Sequence, residues 1–67
     1  MVTIYKTKKN TIRNKISYIL SEFRGLSTDD KPTTWKDSQV ENGSVFIEID
    51  TGDVYMYNLT SQEWNEV

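Results

Sequence analysis

The sequence predicts a mainly β fold, a small antiparallel meander or sandwich-like sheet with one long loop. Three observations support this prediction. The runs SVFIEI and VYMY are rich in β-branched and aromatic residues, and they flank a turn that contains glycine. A short run around Trp64 follows a second polar turn. The run VTIYK, at residues 2–6, has the composition of a further strand.

Length and composition allow one small domain. We divide residues 1–67 into basic N-terminal strands (1–24), a loop (25–43) and a β-meander (44–67). A chain this short buries only about 60% of its unfolded surface, so small domains often add disulfides, a metal or a partner. The sequence contains neither Cys nor His and no calcium-loop spacing, so we predict no disulfide, no metal and no cofactor. Association with another chain is the expected source of further stability.

The segment at residues 12–24 fits two structures. Apolar residues recur there at helical spacing: Ile12, Ile16, Ile19, Leu20 and Phe23. Every second residue from Ile16 to Leu20 is also apolar or aromatic, as in a strand. In a helix, basic residues would lie at the N-terminus and Glu22 near the C-terminus, which opposes the helix dipole. Two alternatives stay open, a strand over 15–24 or an α+β fold with one helix at 12–24.

Residues 25–43 contain the only Pro and many Ser, Thr, Asp and Asn residues, which predicts a long loop with Trp35 in its middle. The strand patterns resume after this loop, and we predict strands at 44–50, 53–58 and 63–66. Because only short turns separate these three strands, they are expected to form a meander.

Asp50-Thr51-Gly52 is the tripeptide that carries the catalytic carboxylate of aspartic proteases, but here it predicts a turn. Such a protease needs two carboxylates that share one proton across a site, and this chain has a single copy of the tripeptide. As a three-residue hairpin loop, the same residues place Gly52 at the positive-φ position of a G1 bulge. Asp50 would accept a hydrogen bond from the backbone two residues on. The prediction is a turn without catalytic chemistry, and the chain is not expected to be an enzyme.

The three-residue turn sets a register for the hairpin, with Val45 opposite Tyr57 and Ile47 opposite Tyr55. One face then carries Val45, Ile47, Ile49, Tyr55 and Tyr57, and the other carries Phe46, Glu48, Val54 and Met56. Both faces are largely apolar, whereas a sheet with one solvated face alternates apolar and polar residues. Either residues 2–26 and a tryptophan cover the two faces, or one face meets a partner protein. The residues predicted for that partner interface are Trp35, Phe46, Tyr55, Met56, Tyr57 and Trp64.

Charge is distributed unevenly along the chain. Residues 1–21 contain no acid, and they form a predicted basic surface with Lys6, Lys8, Lys9, Arg13 and Lys15. Residues 37–67 contain seven acidic residues and no base, and the net charge is −2. Halves of opposite sign predict contact between them, within one chain or between copies. A nucleic-acid partner is not expected, because nucleic-acid binders are usually basic, and no run approaches the ~20 apolar residues of a membrane span.

The order of these features resembles a group of short proteins encoded by tailed bacteriophages and prophages. The matching positions are Glu22-Phe23, Thr28 to Thr33, Gly43-Ser44, Asp50-Thr51, Val54 to Tyr57 and Trp64. The resemblance covers residues 16–66 and favours a strand for residues 16–24. It implies a small protein of the virion that is made in the bacterial host cytoplasm, and it does not imply an enzyme. It supplies no functional residues.

The function expected from this resemblance is that of a structural protein of the phage particle, a head decoration or small fibre-like component. Its partners would be other virion proteins or further copies of itself, for example in a trimer. Two alternatives stay open. One is a small intracellular phage regulator that binds a host or phage protein, and the other is a weak nucleic-acid-binding module that uses the basic N-terminal segment.

Overall fold

A computed structural model describes all residues 1–67 and consists of strands and turns. The seven strands are β1 (Thr3–Arg13), β2 (Ile16–Gly25), β3 (Thr34–Trp35), β4 (Ser38–Val40), β5 (Val45–Glu48), β6 (Val54–Asn58) and β7 (Glu63–Glu66). They form one curled mixed sheet, so the mainly β prediction is confirmed. The alternative of a helix at residues 12–24 is wrong, because these residues belong to β1, its turn and β2. The chain has no helix that is suited to crossing a membrane.

β1 and β2 form a long antiparallel hairpin, and β1 is much longer than the strand predicted at residues 2–6. The hairpin closes at a two-residue turn, Asn14-Lys15, where both residues have left-handed backbone angles (φ 51° and 66°). Such turns match the right-handed twist of the paired strands. β1 bulges at Tyr5 and at Lys8, where its register against β2 shifts. The polar run KTKKN is extended because it pairs with β2. Its own composition does not predict a strand.

β2 occupies the centre of the sheet and has different neighbours on its two edges. β1 lies along one edge. On the other edge β4 pairs with Tyr18 and Ile19, and β5 pairs with Glu22–Gly25, both in parallel. The sheet is therefore mixed, whereas the sequence predicted antiparallel pairing throughout. Parallel neighbours need a long connection between them, and the loop at 25–43 supplies it, with β3 and β4 as a small hairpin inside it.

Ser44 fills the gap between β4 and β5 along the edge of β2. Its side chain is fully buried, accepts a hydrogen bond from Ser21 N (3.2 Å) and donates one to Ile19 O (3.3 Å). Glu41 N donates to the same carbonyl at 2.7 Å. The backbone of β2 therefore stays hydrogen-bonded where its parallel neighbour changes from one strand to the next.

β5, β6 and β7 form the predicted meander, but its first turn is one residue longer than predicted. Glu48 N donates to Asp53 O (2.9 Å) and Gly52 N donates to Glu48 O (2.8 Å), which closes a four-residue loop. The pairs across β5 and β6 are Val45–Met56, Phe46–Tyr55 and Ile47–Val54. The predicted register, with Ile47 opposite Tyr55, is wrong. A slip of one residue exchanges the two faces of a strand, so Phe46 lies on the same face as the two tyrosines of β6.

The curled sheet holds its core on the concave face. The buried apolar residues are Ile19, Phe23, Val40, Phe46 and Tyr57. Trp64 packs against three of these rings at centroid distances between 5.0 and 6.2 Å, and Trp35 lies 5.3 Å from the ring of Phe23. Residues 26–33 cross this face, and we call them the crossing loop. Trp64 Nε1 donates to Pro32 O in this loop at 2.9 Å. Both tryptophans thus cover the concave face, and neither covers the outer one.

Candidate interaction surfaces

β1 is an edge strand and carries the predicted basic surface. Its basic residues are all exposed, and three of them form no ion pair: Lys6, Lys8 and Lys9. We call these three lysines the basic edge. Lys15 is also exposed and without an ion pair, but it lies in the turn that follows β1. Arg13 differs, because its guanidinium binds both oxygens of Glu41 (2.6 and 3.1 Å) and lies 4.1 Å from the Tyr18 ring centroid. The hydrogen bond from Arg13 lowers the pKa of Glu41.

β7 forms the opposite edge of the sheet and is acidic. It pairs only with β6, and both of its glutamates, Glu63 and Glu66, are exposed. Neither glutamate forms an ion pair. We call these two residues the acidic edge. The basic and acidic edges therefore lie on two edge strands of one sheet.

The oppositely charged halves of the sequence meet at one point. Arg13–Glu41 is the single ion pair that joins residues 1–21 to residues 37–67. The basic edge and the acidic edge are separated by β2, β5 and β6, because β1 pairs only with β2 and β7 only with β6. The predicted contact between the halves is therefore small within one chain. Contact between copies stays a prediction.

Glu48 is the one acidic residue in the core, and both of its oxygens are engaged. The residue is 4% exposed. Its Oε2 lies 2.7 Å from Lys31 Nζ, and its Oε1 accepts a hydrogen bond from Thr51 Oγ1 at 2.7 Å. Lys31 Nζ also lies 4.2 Å from the Tyr55 ring centroid, a cation–π contact. The hydrogen bond from Lys31, followed by that from Thr51, lowers the pKa of Glu48, so the ionised carboxylate anchors the crossing loop to the sheet.

The tripeptide Asp50-Thr51-Gly52 lies in a turn, and Gly52 has the positive φ that its position required (79°). The carboxylate of Asp50 accepts hydrogen bonds from Ser27 Oγ (2.6 Å) and Ser27 N (2.9 Å). It was expected to accept one from the backbone two residues on, and the longer loop gives it these partners instead. The bond from Ser27 Oγ makes the largest contribution to the lowered pKa of Asp50. The turn therefore ties the crossing loop to the end of β5.

The six residues predicted to meet a partner fall into three groups. Phe46 and Tyr57 belong to the core (0% and 2% exposed), so they are closed to a partner in this conformation. Three more are half-buried and pack against the core: Trp35, Tyr55 and Trp64. Met56 alone lies on the outer face, where it is 47% exposed. The grouping follows from the register, because the longer turn exchanged the faces of β5 relative to β6.

The outer face of the sheet carries an apolar strip that the predicted register did not reveal. Its members lie on β2, β5 and β6 and are Leu20, Val45, Ile47, Val54 and Met56. We call this set the outer patch; all but Met56 are half-buried. Beside it Glu22 and Arg24 form an ion pair at 3.1 Å, and Arg24 lies 3.8 Å from the Tyr5 ring centroid. The alternation of apolar side chains along β2 was sufficient to assign Leu20 to one face of that strand. The face on which each β5 residue lies, in contrast, depends on the length of the turn after β5.

The surface shows no cavity, and no group of three or more His, Cys, Asp or Glu side chains is arranged to hold a metal ion. Comparison of the chain with protein-family models, with curated proteins and with solved structures finds no match. Three surface features group several residues of one kind: the basic edge, the acidic edge and the outer patch. Each of them is defined by the strand order and by the register of the sheet.

Proposed function

We propose that the chain is a non-enzymatic structural protein of a bacteriophage particle that works by protein–protein contact, as a head decoration or small fibre-like component. The phage assignment rests on the resemblance over residues 16–66. Contact with another protein rests on one observation, the outer patch. The chain packs its tryptophans and both tyrosines of β6 against the concave face and leaves Met56 of the outer patch 47% exposed.

The outer patch has the composition of an interface centre. Its five residues carry no charge, whereas its neighbours on β2 and β1 are charged: Glu22, Arg24 and Lys6. Protein interfaces commonly combine a centre depleted in charge with a polar rim. Because hydrogen-bonded strands hold the patch, little conformational entropy is lost when a partner binds it. These features support a preformed docking surface.

Analysis of purified particles tests this proposal. Mass spectrometry of particles from the producing host should find the chain at a constant copy number. Met56→Lys places a charge in the outer patch without disturbing the core, and it should reduce the amount of particle-bound chain about tenfold or more, as for a central interface residue. Thr60→Lys adds the same charge in an exposed turn and serves as the matched control, with binding unchanged.

Two outcomes would contradict the proposal. A folded chain that is absent from purified particles rules out a structural role and leaves the small intracellular regulator as the surviving function. Particle binding that is equal for the Met56→Lys and Thr60→Lys variants rules out the outer patch as the docking surface.

A weak nucleic-acid contact is the second candidate function, and the unpaired lysines of the basic edge favour it. A two-stranded ribbon can enter the major groove, and each phosphate contacted changes the slope of log K against log salt by about −0.9. The net charge of −2 opposes such binding. Electrophoretic shift assays should therefore show negligible binding near physiological salt. Tight binding that weakens with salt and is abolished by K8E/K9E would favour this candidate instead.

A further inference from the structure

We propose that copies of this chain associate head to tail, by pairing the free edge of β1 in one copy with the free edge of β7 in the next. This inference rests on the proposed function, since it names one partner of the particle protein, a second copy, and the surface that binds it. β1 pairs only with β2, and β7 pairs only with β6. Each strand therefore presents a row of backbone N–H and C=O groups that another strand can pair with.

Charge selects which edges can meet. The basic edge has three lysines without an ion-pair partner, and the acidic edge has two carboxylates without one. Two basic edges repel each other, and so do two acidic edges, whereas a basic edge attracts an acidic one. Both symmetric pairings are therefore disfavoured. The remaining pairing is heterologous, and it produces a closed ring or an open filament.

The regular part of β1 matches the length of β7. The bulges at Tyr5 and Lys8 interrupt the first half of β1, while Lys9–Arg13 pairs with β2 without interruption. Bulges and lysines on an edge discourage unspecific strand addition, so the uninterrupted five residues are the segment left for pairing. β7 has four residues.

Strand direction is compatible with a continuous sheet. β1 runs antiparallel to β2, and β7 runs in the direction of β2, since β5 is parallel to β2 and two antiparallel steps follow. A second copy in the same orientation would thus place its β1 antiparallel to β7.

An exposed apolar side chain on β1 supports the same arrangement. Ile12 is 72% exposed and lies opposite Ser17, whose hydroxyl is 3.0 Å from that of Ser38 on the concave side. Trp64 is half-buried on the concave side of β7. When the sheet continues across two copies, the concave faces join, and Ile12 of one copy comes to the side of the sheet that holds Trp64 of the other. Burial of this side chain adds an apolar contribution to the charge attraction.

Charge-reversal variants test the pairing. The variant K6E/K8E/K9E has two acidic edges, and the variant E63K/E66K has two basic edges. In sedimentation velocity at micromolar concentration and low ionic strength, the unaltered chain should associate, and each variant alone should associate about a hundredfold more weakly. An equimolar mixture of the two variants should associate again, because each acidic edge of one variant then meets a basic edge of the other. A closed ring of the mixture contains an even number of copies.

Charge changes elsewhere provide the control. K36E and D30K alter exposed residues outside both edges and should leave association unchanged, and circular dichroism should show the same fold for all variants. A monomeric unaltered chain at high micromolar concentration, reversal variants that associate as before, or a mixture that stays monomeric would each overturn the edge pairing. Particle analysis is a separate measurement. If the chain is present in particles but its association does not respond to these reversals, the edge pairing is wrong and the structural role stands. If the chain associates but is absent from particles, the structural role alone is wrong.

Discussion

At Glu48, a carboxylate in the core receives one hydrogen bond from a lysine and one from a threonine, so neither oxygen is left without a partner. Removing one member of such a pair leaves an uncompensated charge, which is more costly than the absence of the whole pair. Lys31 comes from the crossing loop and Thr51 from the turn after β5. The contact therefore joins segments that are distant in the sequence, and its effect on folding is a testable property of single residues.

Acid should destabilise the fold through these bonded carboxylates. The pKa values of Glu41, Glu48 and Asp50 are lowered in the folded chain, by bonds from Arg13, Lys31 and Ser27, respectively. A group whose pKa is lowered on folding contributes stability above its unfolded pKa, and this stability is lost as the pH falls through the folded pKa. The urea midpoint should be constant from about pH 7 to about pH 5 and should fall below about pH 4.5, the ordinary value for Glu.

Glu48→Gln is the informative variant for this acid response. It should lower the urea midpoint at neutral pH, because the ion pair with Lys31 is lost, and it should make the decline below pH 4.5 shallower. A midpoint that is independent of pH across the acid range in the unaltered chain would contradict the assignment of these bonds.

Two turns of the meander allow a matched test of backbone strain. Each has four residues and ends with a positive φ, 79° at Gly52 and 57° at Gln62. A Cβ atom at Gly52 would meet nothing within 4 Å, so Gly52→Ala should cost about 1–2 kcal/mol from conformation alone. Gln62→Gly should raise the free energy of unfolding by about 0.5–1 kcal/mol, since it relieves the same strain but loosens the unfolded chain. Urea denaturation measures both, and a destabilised Gln62→Gly variant would contradict the argument.

Among the elements, the loop at residues 26–33 has the most distinct role, because it closes the concave face. Its contacts include those of Ser27 with Asp50, of Lys31 with Glu48 and of the Pro32 carbonyl with Trp64. In the long hairpin of β1 and β2, in contrast, most of β1 is exposed. Its eleven residues, at about 3.3 Å each, extend over a length close to the longest dimension of the molecule, 37 Å.

The hydrogen bond from Trp64 to the loop should have a measurable effect on stability. Trp64→Phe keeps an aromatic ring in the core but removes the Nε1 donor to Pro32 O, so it should cost about 1 kcal/mol beyond the packing loss. Trp35→Phe is the matched control, because Trp35 also packs on Phe23 but its indole donates no hydrogen bond. Limited proteolysis should cut residues 26–33 faster in the Trp64 variant than in the Trp35 variant. Equal stability and equal cleavage of the two would contradict the role of this bond.

For the whole molecule, the register between β5 and β6 decides which face is the core and which is open. Phe46 is fully buried on the concave face, and Met56 is 47% exposed on the outer face. In the register that the sequence predicted, these two residues shared one face. The difference between their environments therefore reports on the register between β5 and β6.

Truncation of the two residues separates the two registers. Phe46→Ala should cost about 3–5 kcal/mol, which is a large part of the roughly 3–10 kcal/mol expected for a domain of this size. Met56→Ala should cost less than about 1 kcal/mol, as at most surface positions. Urea denaturation monitored by tryptophan fluorescence measures both losses. Similar losses for the two variants would mean that the side chains lie in similar environments, which contradicts the observed register.

Local patterns in the sequence were sufficient for the mainly β class, for the meander over residues 44–66 and for the positive φ of Gly52, because strand preference and turn chemistry act within a few residues. The basic surface was also recognisable, since charges on an edge strand stay at the surface wherever the strand lies. Met56 was the one predicted partner residue that the structure leaves on an open face.

Only the tertiary structure decided how these elements combine. The full length of β1 and the parallel placement of β4 and β5 depend on pairing with β2, which no local pattern encodes. The register of the hairpin follows from the four-residue turn, where Thr51 bonds to the neighbouring Glu48 and Asp50 bonds to Ser27, which is distant in the sequence. This turn set the faces of β5 and β6, and the strand order placed opposite charges on opposite edges, because hydrogen-bonded pairing between distant segments is a property of the folded sheet and not of any one segment.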